Sequence, residues 1–262
     1  MNKNMDSKIK KAIELFKNKD YEKAIDAFSR ILEKEAGNVE LYNNLALSYY
    51  YIGEYEQAEK FFLKALSLNP KLAEAYINLA DLYFRQRDFA NAVDLLQTGV
   101  YELPQNLVLK HYLARVYMED ARLDLAIDEL DKILEEQPEN YDAYYDLGRI
   151  YFELGNYDLA IENFENVIEY KKDNEWVHYY IGQAYETNNE IDKALSNYLK
   201  AITVSEAFYP AYKKAGVLFL ARNDYEDALE YFENYIKFDL PDEEIKAIKE
   251  TIERIHKVRS EK

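Results

Sequence analysis

The 262-residue chain contains no cysteine, which excludes disulfides, thiolate metal sites and a cysteine nucleophile and leaves the redox compartment open. Seven glycines and five prolines are too few for a loop-rich or low-complexity chain. The three histidines, His111, His178 and His256, show no His-x-x-x-His or Glu-x-x-His spacing, so no metal site is expected and no cofactor is implied. There is no glycine-rich phosphate loop, no Gly-x-Ser-x-Gly elbow and no Ser-His-Asp pattern. Acidic pairs such as Glu135/Glu136 and Glu243/Glu244 read as solvated faces. No enzyme is expected. Long apolar runs are missing too: nothing approaches the ~20 residues of a membrane helix, and the opening MNKNMDSKIKKAIELF lacks the apolar stretch of a signal peptide. Positive charge is also scarce. Against 50 acidic side chains stand 33 basic ones, a formal charge of -17, which repels phosphate backbones and anionic headgroups. Neither nucleic acid nor membrane is expected as a partner, and a cytoplasmic protein is the default.

What is abundant is periodic. Apolar residues make up 48% of the chain, enough for a core, and residues 39–72 are restated every 34 places without insertion or deletion. Alanine recurs in strict phase as Ala24, Ala58, Ala92, Ala126, Ala160, Ala194 and Ala228. Seven units follow, residues 5–38, 39–72, 73–106, 107–140, 141–174, 175–208 and 209–242. Within a unit, two apolar-periodic segments of helix length flank a breaker: Gly53-Glu54, Arg87-Asp88, Gly155-Asn156, Asn189-Glu190 or Asn223-Asp224. Each unit is therefore expected to be a helical hairpin. Pro70, Pro104 and Pro138, also 34 apart, end second helices. The eighth place holds Ala12, Ala46, Ala80, Ala114, Gly148, Gly182 and Gly216, small residues that let the paired helices approach, while Tyr49, Tyr83, Tyr117, Tyr151, Tyr185 and Phe219 at the eleventh place fill the gaps.

The alternation Leu-Ala…Tyr…Gly-x-Tyr…Ala…Phe…Ala…Pro within 34 residues resembles the tetratricopeptide repeat, and seven consecutive copies make the resemblance specific. It implies an all-α fold: an α-solenoid in which antiparallel hairpins stack into a right-handed superhelix, with first helices lining a concave groove that binds peptides or proteins. The pattern is broken where Lys172, Glu206 and Leu240 replace the unit-ending proline, at Gly99, and where Lys11 stands in an apolar place. In the first unit the third, seventh and tenth places are Ser7, Lys11 and Glu14, a polar face that reads as a free end. Residues 243–258 form a lone amphipathic helix with Ile245, Ile248, Ile252 and Ile255 on one stripe, expected to cap the other end. Capped twice, the chain reads as one complete solenoid.

The expected function is a non-catalytic interaction module that binds a protein or peptide segment in this groove; the alternative is a scaffold that self-associates into a homo-oligomer through convex or terminal surfaces. The groove-facing places of the first helices are the second, fifth, sixth, ninth, twelfth and thirteenth. Asn44 and Asn78, at the sixth place of adjacent units, offer amides to a peptide backbone, a role that asparagines at this place have in some members of the resembling family. Arg85, Arg115 and Arg149 form a local positive site for a carboxylate, unless Asp81, Glu119, Asp146 and Glu153 neutralise them. His111, Tyr112, Tyr145, Trp176, Tyr179 and Tyr180 add aromatic anchors. The twelfth place is nearly all apolar, from Phe16 and Tyr50 to Phe152 and Leu220, and suggests either a hydrophobic track or rings that stiffen the wall. The carboxylate clamp of chaperone-binding members is not reproduced: units one to three offer Ile9 and Ile13, then Asn44, then Glu74 and Asn78, and only Asn44 matches. The groove is thus expected to centre between Asn78 and Tyr180.

Overall fold

The structure, a computed structural model, describes residues 3–171 and 174–260, so the departure at Lys172 lies outside the described residues. Every regular element among them is helical: α1 (Lys3–Lys17), α2 (Tyr21–Leu32), α3 (Val39–Tyr51), α4 (Tyr55–Leu68), α5 (Ala73–Arg85), α6 (Phe89–Glu102), α7 (Leu107–Glu119), α8 (Leu123–Glu136), α9 (Tyr141–Glu153), α10 (Tyr157–Lys171), α11 (Glu175–Thr187), α12 (Ile191–Val204), α13 (Tyr209–Ala221), α14 (Tyr225–Tyr235) and α15 (Asp242–Ser260). The fold is an all-α repeat solenoid of helical hairpins. Packing divides the chain into two compact units, Met1–Glu136 and Gln137–Lys262, the first built from α1 to α8 and the second from α9 to α15.

The hairpins share one turn. At its fifteenth place each unit puts a residue into the left-handed region: Lys19 (φ 64°), Gly53 (84°), Arg87 (58°), Ala121 (56°), Gly155 (76°), Asn189 (60°) and Asn223 (62°). The next N–H bonds back to the carbonyl of the eleventh place, as Glu54 does to Tyr49 at 3.0 Å and Asn156 to Tyr151 at 2.8 Å. This closure satisfies carbonyls that a helix end leaves bare and reverses the chain within three residues. Four of the following first helices are capped by asparagine: Asn38, Asn106, Asn140 and Asn174 accept from the backbone N–H of Leu41, Leu109, Ala143 and Trp176 at 3.2, 3.1, 3.0 and 2.9 Å.

Within the hairpin the small residues govern the distance of approach. All seven phased alanines of the second helices are 0% exposed. A ring from the second helix lies flat against the eighth place, so closely that a Cβ built on Gly148, Gly182 or Gly216 would fall 2.6 Å from Phe164, 2.7 Å from Tyr198 or 2.8 Å from Phe232. Between hairpins, the third and seventh places of a first helix dip into the preceding hairpin. Leu41 and Leu45 of α3 are buried with Ala24, Phe28, Ile31 and Leu32 of α2, and each such leucine contributes about 1.5–3 kcal/mol by leaving water. In the second unit α15 buries Ile248 and Ile255 against Leu229, Phe232 and Tyr235.

Candidate functional site

In the first unit the candidate residues lie on α3, α5 and α7. Asn44 is half-buried and its backbone carbonyl accepts the Ser48 hydroxyl at 2.8 Å. Asn78, one repeat on, donates its side-chain amide to Asn43 Oδ1 at 3.3 Å, so this pair links α3 to α5. Arg85 is not a free cation. Its Nε is 3.3 Å from Asp81 Oδ2 and its guanidinium lies 5.1 Å over the Tyr50 ring. The Tyr50 hydroxyl donates to the same carboxylate, joining α3 to α5 a second time. Burial first, and then the hydrogen bond to Asp81, push the Tyr50 phenol well above its ordinary range. Arg115 differs. It is exposed, its guanidinium sits 5.9 Å over the Tyr112 ring, and it has no carboxylate within 4 Å among the described residues. Together with Ala80, Asp81, Phe84, Tyr112 and Val116 it lines a notch of about 90 Å³ between α5 and α7. His111 is half-buried on the same helix.

In the second unit the candidates lie on α9 and α11. Tyr180 stacks on Phe164 at 5.4 Å and meets Tyr145 edge-on at 6.4 Å; Tyr179 packs on Tyr198 and Phe208, each at 5.5 Å. These three rings hold α9, α10, α11 and α12 together and leave only part of each exposed. Burial is the main cause that raises the Tyr145 and Tyr179 phenols. Trp176 is both seated and open: its ring is edge-on to Phe208 at 4.8 Å, yet the residue is 44% exposed. The Asn174 cap fixes the start of α11 beneath it. Arg149 lies 3.6 Å from Asp146, within reach of the neutralising partner anticipated for it. Hence two of the three arginines are paired within their own helix, and Arg115 alone among them faces solvent without an acid.

Of the two expectations for the twelfth-place row, the contacts fit the one in which rings stiffen the wall. The twelfth-place rings do not run as an open track: Phe16, Tyr50, Phe84 and Phe152 each close on the ring at the seventeenth place, Tyr21, Tyr55, Phe89 and Tyr157, with centroids 5.5, 6.0, 5.7 and 5.4 Å apart. They clasp the hairpin turn. The one acid in that row, Glu186, accepts from the Tyr198 hydroxyl and from Lys214 Nζ at 3.0 Å, tying α11 to α12 and α13. Among the described residues no group of three or more potential ligands is placed to hold a metal ion, and no helix is long and apolar enough to cross a membrane.

Profiles described as Tetratricopeptide repeat match residues 39–72, 61–94, 117–162 and 179–243, and one described as TPR repeat matches 148–189. They fall on the same hairpins that the helices and their 34-residue spacing define. The chain belongs to the tetratricopeptide repeat family. No curated protein matches it. Solved tetratricopeptide structures share the fold. The C-terminal part of a TPR repeat-containing protein from Cytophaga hutchinsonii superposes with a TM-score of 0.74 at 19% identity, covering 91% of this chain and 98% of that one. A tetratricopeptide repeat protein from Parabacteroides merdae gives 0.66 at 21%, with 97% and 100% covered. YrrB, described as a TPR protein with an unusual peptide-binding site, gives 0.57 at 24%, with 71% and 96% covered. Interaction with other proteins is the general role of tetratricopeptide scaffolds.

Proposed function

We propose that the chain is a non-catalytic scaffold that binds a peptide or protein segment on the first-helix faces of its repeats, with the notch between α5 and α7 as the anchor. The observation that carries this reading is Arg115. It stands exposed beside the apolar walls of Phe84 and Tyr112, while Asp81 across the notch is already engaged by Arg85 and Tyr50. A carboxylate of the bound segment meets Arg115, and an apolar side chain beside it enters the notch. Asn44, Asn78 and His111 extend that face in the first unit; Tyr145, Arg149, Trp176, Tyr179 and Tyr180 make the corresponding face of the second. YrrB is similar in fold and is described as binding a peptide, which supports the same class of ligand. The charge of -17 favours protein partners over nucleic acid or membrane surfaces, in keeping with a cytoplasmic place of work.

Peptides selected from a random library on the immobilised chain test the reading. They are expected to share a carboxylate next to an apolar residue and to lose about tenfold in affinity on Arg115→Glu, the loss of ~1.4 kcal/mol of binding. Arg85→Glu is expected to cost less. Affinity unaltered by Arg115→Glu sinks the notch assignment. A scaffold that only self-assembles selects no such peptide and gains mass with concentration in light scattering.

A further inference from the structure

The first hairpin departs from its sister repeats in charge and in shape. Residues 1–38 carry nine Lys or Arg and seven Asp or Glu, whereas the remaining 224 carry 24 and 43. The chain's acidity is therefore confined to everything after the first hairpin, which is slightly basic. Its shape follows from three places. In the second repeat the fourth, eleventh and twenty-third places are Tyr42, Tyr49 and Phe61, with Phe61 stacked 6.2 and 5.6 Å from the two tyrosines. In the seventh they are Tyr212, Phe219 and Tyr231, packed at 6.1 and 5.2 Å. In the first repeat the same places hold Lys8, Leu15 and Ala27. The full set of rings recurs only in the second and seventh repeats, but every repeat from the second to the seventh keeps at least the eleventh-place ring. The first has none of the three, and a trough of about 600 Å³ opens there between α1 and α2.

Leu15, Ala27 and one side of Ile31 form the floor of the trough, and Lys8, Lys11, Arg30 and Lys34 stand exposed around it. Asp26 and Glu33 also reach its edge, so the rim, with Lys23, counts five cations against two anions. Lys23 is held by Asp20 at 3.3 Å; the other four have no carboxylate within 4 Å among the described residues. This is also the face that Leu41 and Leu45 of the second repeat turn toward the preceding hairpin, and there the first repeat offers Ser7 and Lys11, both exposed. An apolar hairpin stacked on it would strip water from Lys11 with nothing to pair it, which disfavours that occupant.

We infer that this trough docks an acidic amphipathic helix of a partner protein, its apolar stripe on Leu15 and Ala27 and its flanking carboxylates on Lys8, Lys11, Arg30 and Lys34. A helix suits the gap because two apolar side chains one turn apart replace the absent rings, and its flanks then fall over the rim. Sign complementarity selects an anionic segment, and the apolar floor separates a folded amphipathic helix from a simple polyanion. The surface is distinct from the first-helix face of the notch, since none of its lining residues belongs to the groove-facing places of α1.

The test uses the full chain and, as probe, a fluorescein-labelled synthetic peptide of sequence LDLAIDELDKILEE, an acidic amphipathic helix that copies residues 123–136. Fluorescence anisotropy is expected to show saturable binding. It is expected to weaken about tenfold in Lys8→Glu plus Lys11→Glu and to be lost in Ala27→Phe, which restores a ring to the trough, with circular dichroism expected to show the helices of both variants kept. A scrambled peptide of equal charge is expected to bind at least tenfold more weakly. Absence of binding, equal binding of the scrambled peptide, or binding indifferent to both variants overturns the inference. Tighter capture of anionic phospholipid vesicles or of a single-stranded oligonucleotide, lost in the same lysine variant, makes the rim a general anion surface and overturns it as well.

Discussion

At the eighth place the first four repeats carry alanine and the last three glycine. Ala12 and Ala46 stand in repeats whose twenty-fourth place is Phe28 and Phe62, so a ring alone does not demand glycine, and it is the closeness of approach in the fifth to seventh repeats that does. Gly148, Gly182 and Gly216 face Phe164, Tyr198 and Phe232, and no Cβ fits beneath those rings. Ala80 and Ala114 stand in repeats whose twenty-fourth place is Leu96 and Leu130. Gly182→Ala would gain up to ~1 kcal/mol of helix propensity, but overpacking against Tyr198 costs about 1–3 kcal/mol. Tyr198 cannot yield easily, because its hydroxyl is fixed on Glu186 and its ring is fully buried. The variant is therefore expected to lower the urea midpoint. The double variant Gly182→Ala with Tyr198→Leu, which imitates the third and fourth repeats, is expected to recover part of the packing loss. A purely additive double-mutant cycle shows instead that the ring is not the obstacle. Much at this scale could be read in advance: the small residues and the rings were visible in their phases. Their pairing was not, since it depends on the depth at which two helices meet. The left-handed residues Lys19 and Ala121 were equally silent, because neither side chain is a turn former and only the repeat itself imposes their conformation.

Single helices carry electrostatic features that the repeat does not require. On α8, Asp124, Asp128, Asp131 and Glu135 fall at spacings of four, three and four residues and so share one face. Burial first, then Asp128 and Glu135, raise the Asp131 carboxyl above its ordinary value. A carboxyl raised on folding contributes stability below its unfolded pKa and loses it as pH rises through the folded one. Asp131→Asn is consequently expected to add about 0.5 kcal/mol at pH 7, the order of two relieved like-charge pairs, and nothing near pH 3. Glu244 at the start of α15 has the opposite sign. Its hydrogen bonds from Lys213 at 2.5 Å and Tyr235 at 2.6 Å hold the carboxyl below its usual range, so its contribution is present above the unfolded pKa and lost as pH falls through the folded one. Glu244→Gln is expected to lower the melting temperature at pH 7, and by progressively less as pH falls toward 3. Melting curves of both variants across that interval check the signs; parallel curves refute them. Nothing in periodicity exposes these effects, because they arise from neighbours on the exposed side, where the repeat tolerates any polar residue.

Across the molecule the legible part is the part that repetition enforces. Period, hairpins and the buried alanines are legible because seven copies agree, whereas the twelfth-place row leaves a track and a stiffened wall both open for a physical reason. Its rings and those of the seventeenth place are each apolar in sequence, and only the left-handed turn between them shows that they close on one another. Likewise Asp81 and Arg115 look equally charged on paper, and only the Tyr50 and Arg85 contacts separate a spent acid from an available cation. The same local logic governs stability. Each hairpin buries its own rings and gains the rest of its burial from the hairpins beside it, as α2 does from Leu41 and Leu45, so a repeat array behaves as a chain of nearest-neighbour couplings rather than as one core. A lesion in the sixth repeat is then expected to spread only to the hairpins beside it. In amide hydrogen exchange, Gly182→Ala should speed exchange in α10 to α13 several-fold by raising local opening, while α1 to α6 keep their wild-type protection. The two compact units make the contrast measurable within one molecule, each with its own buried residues as the reference for the other. If protection falls uniformly from α1 to α14, the array unfolds as a single cooperative body and the nearest-neighbour account is wrong.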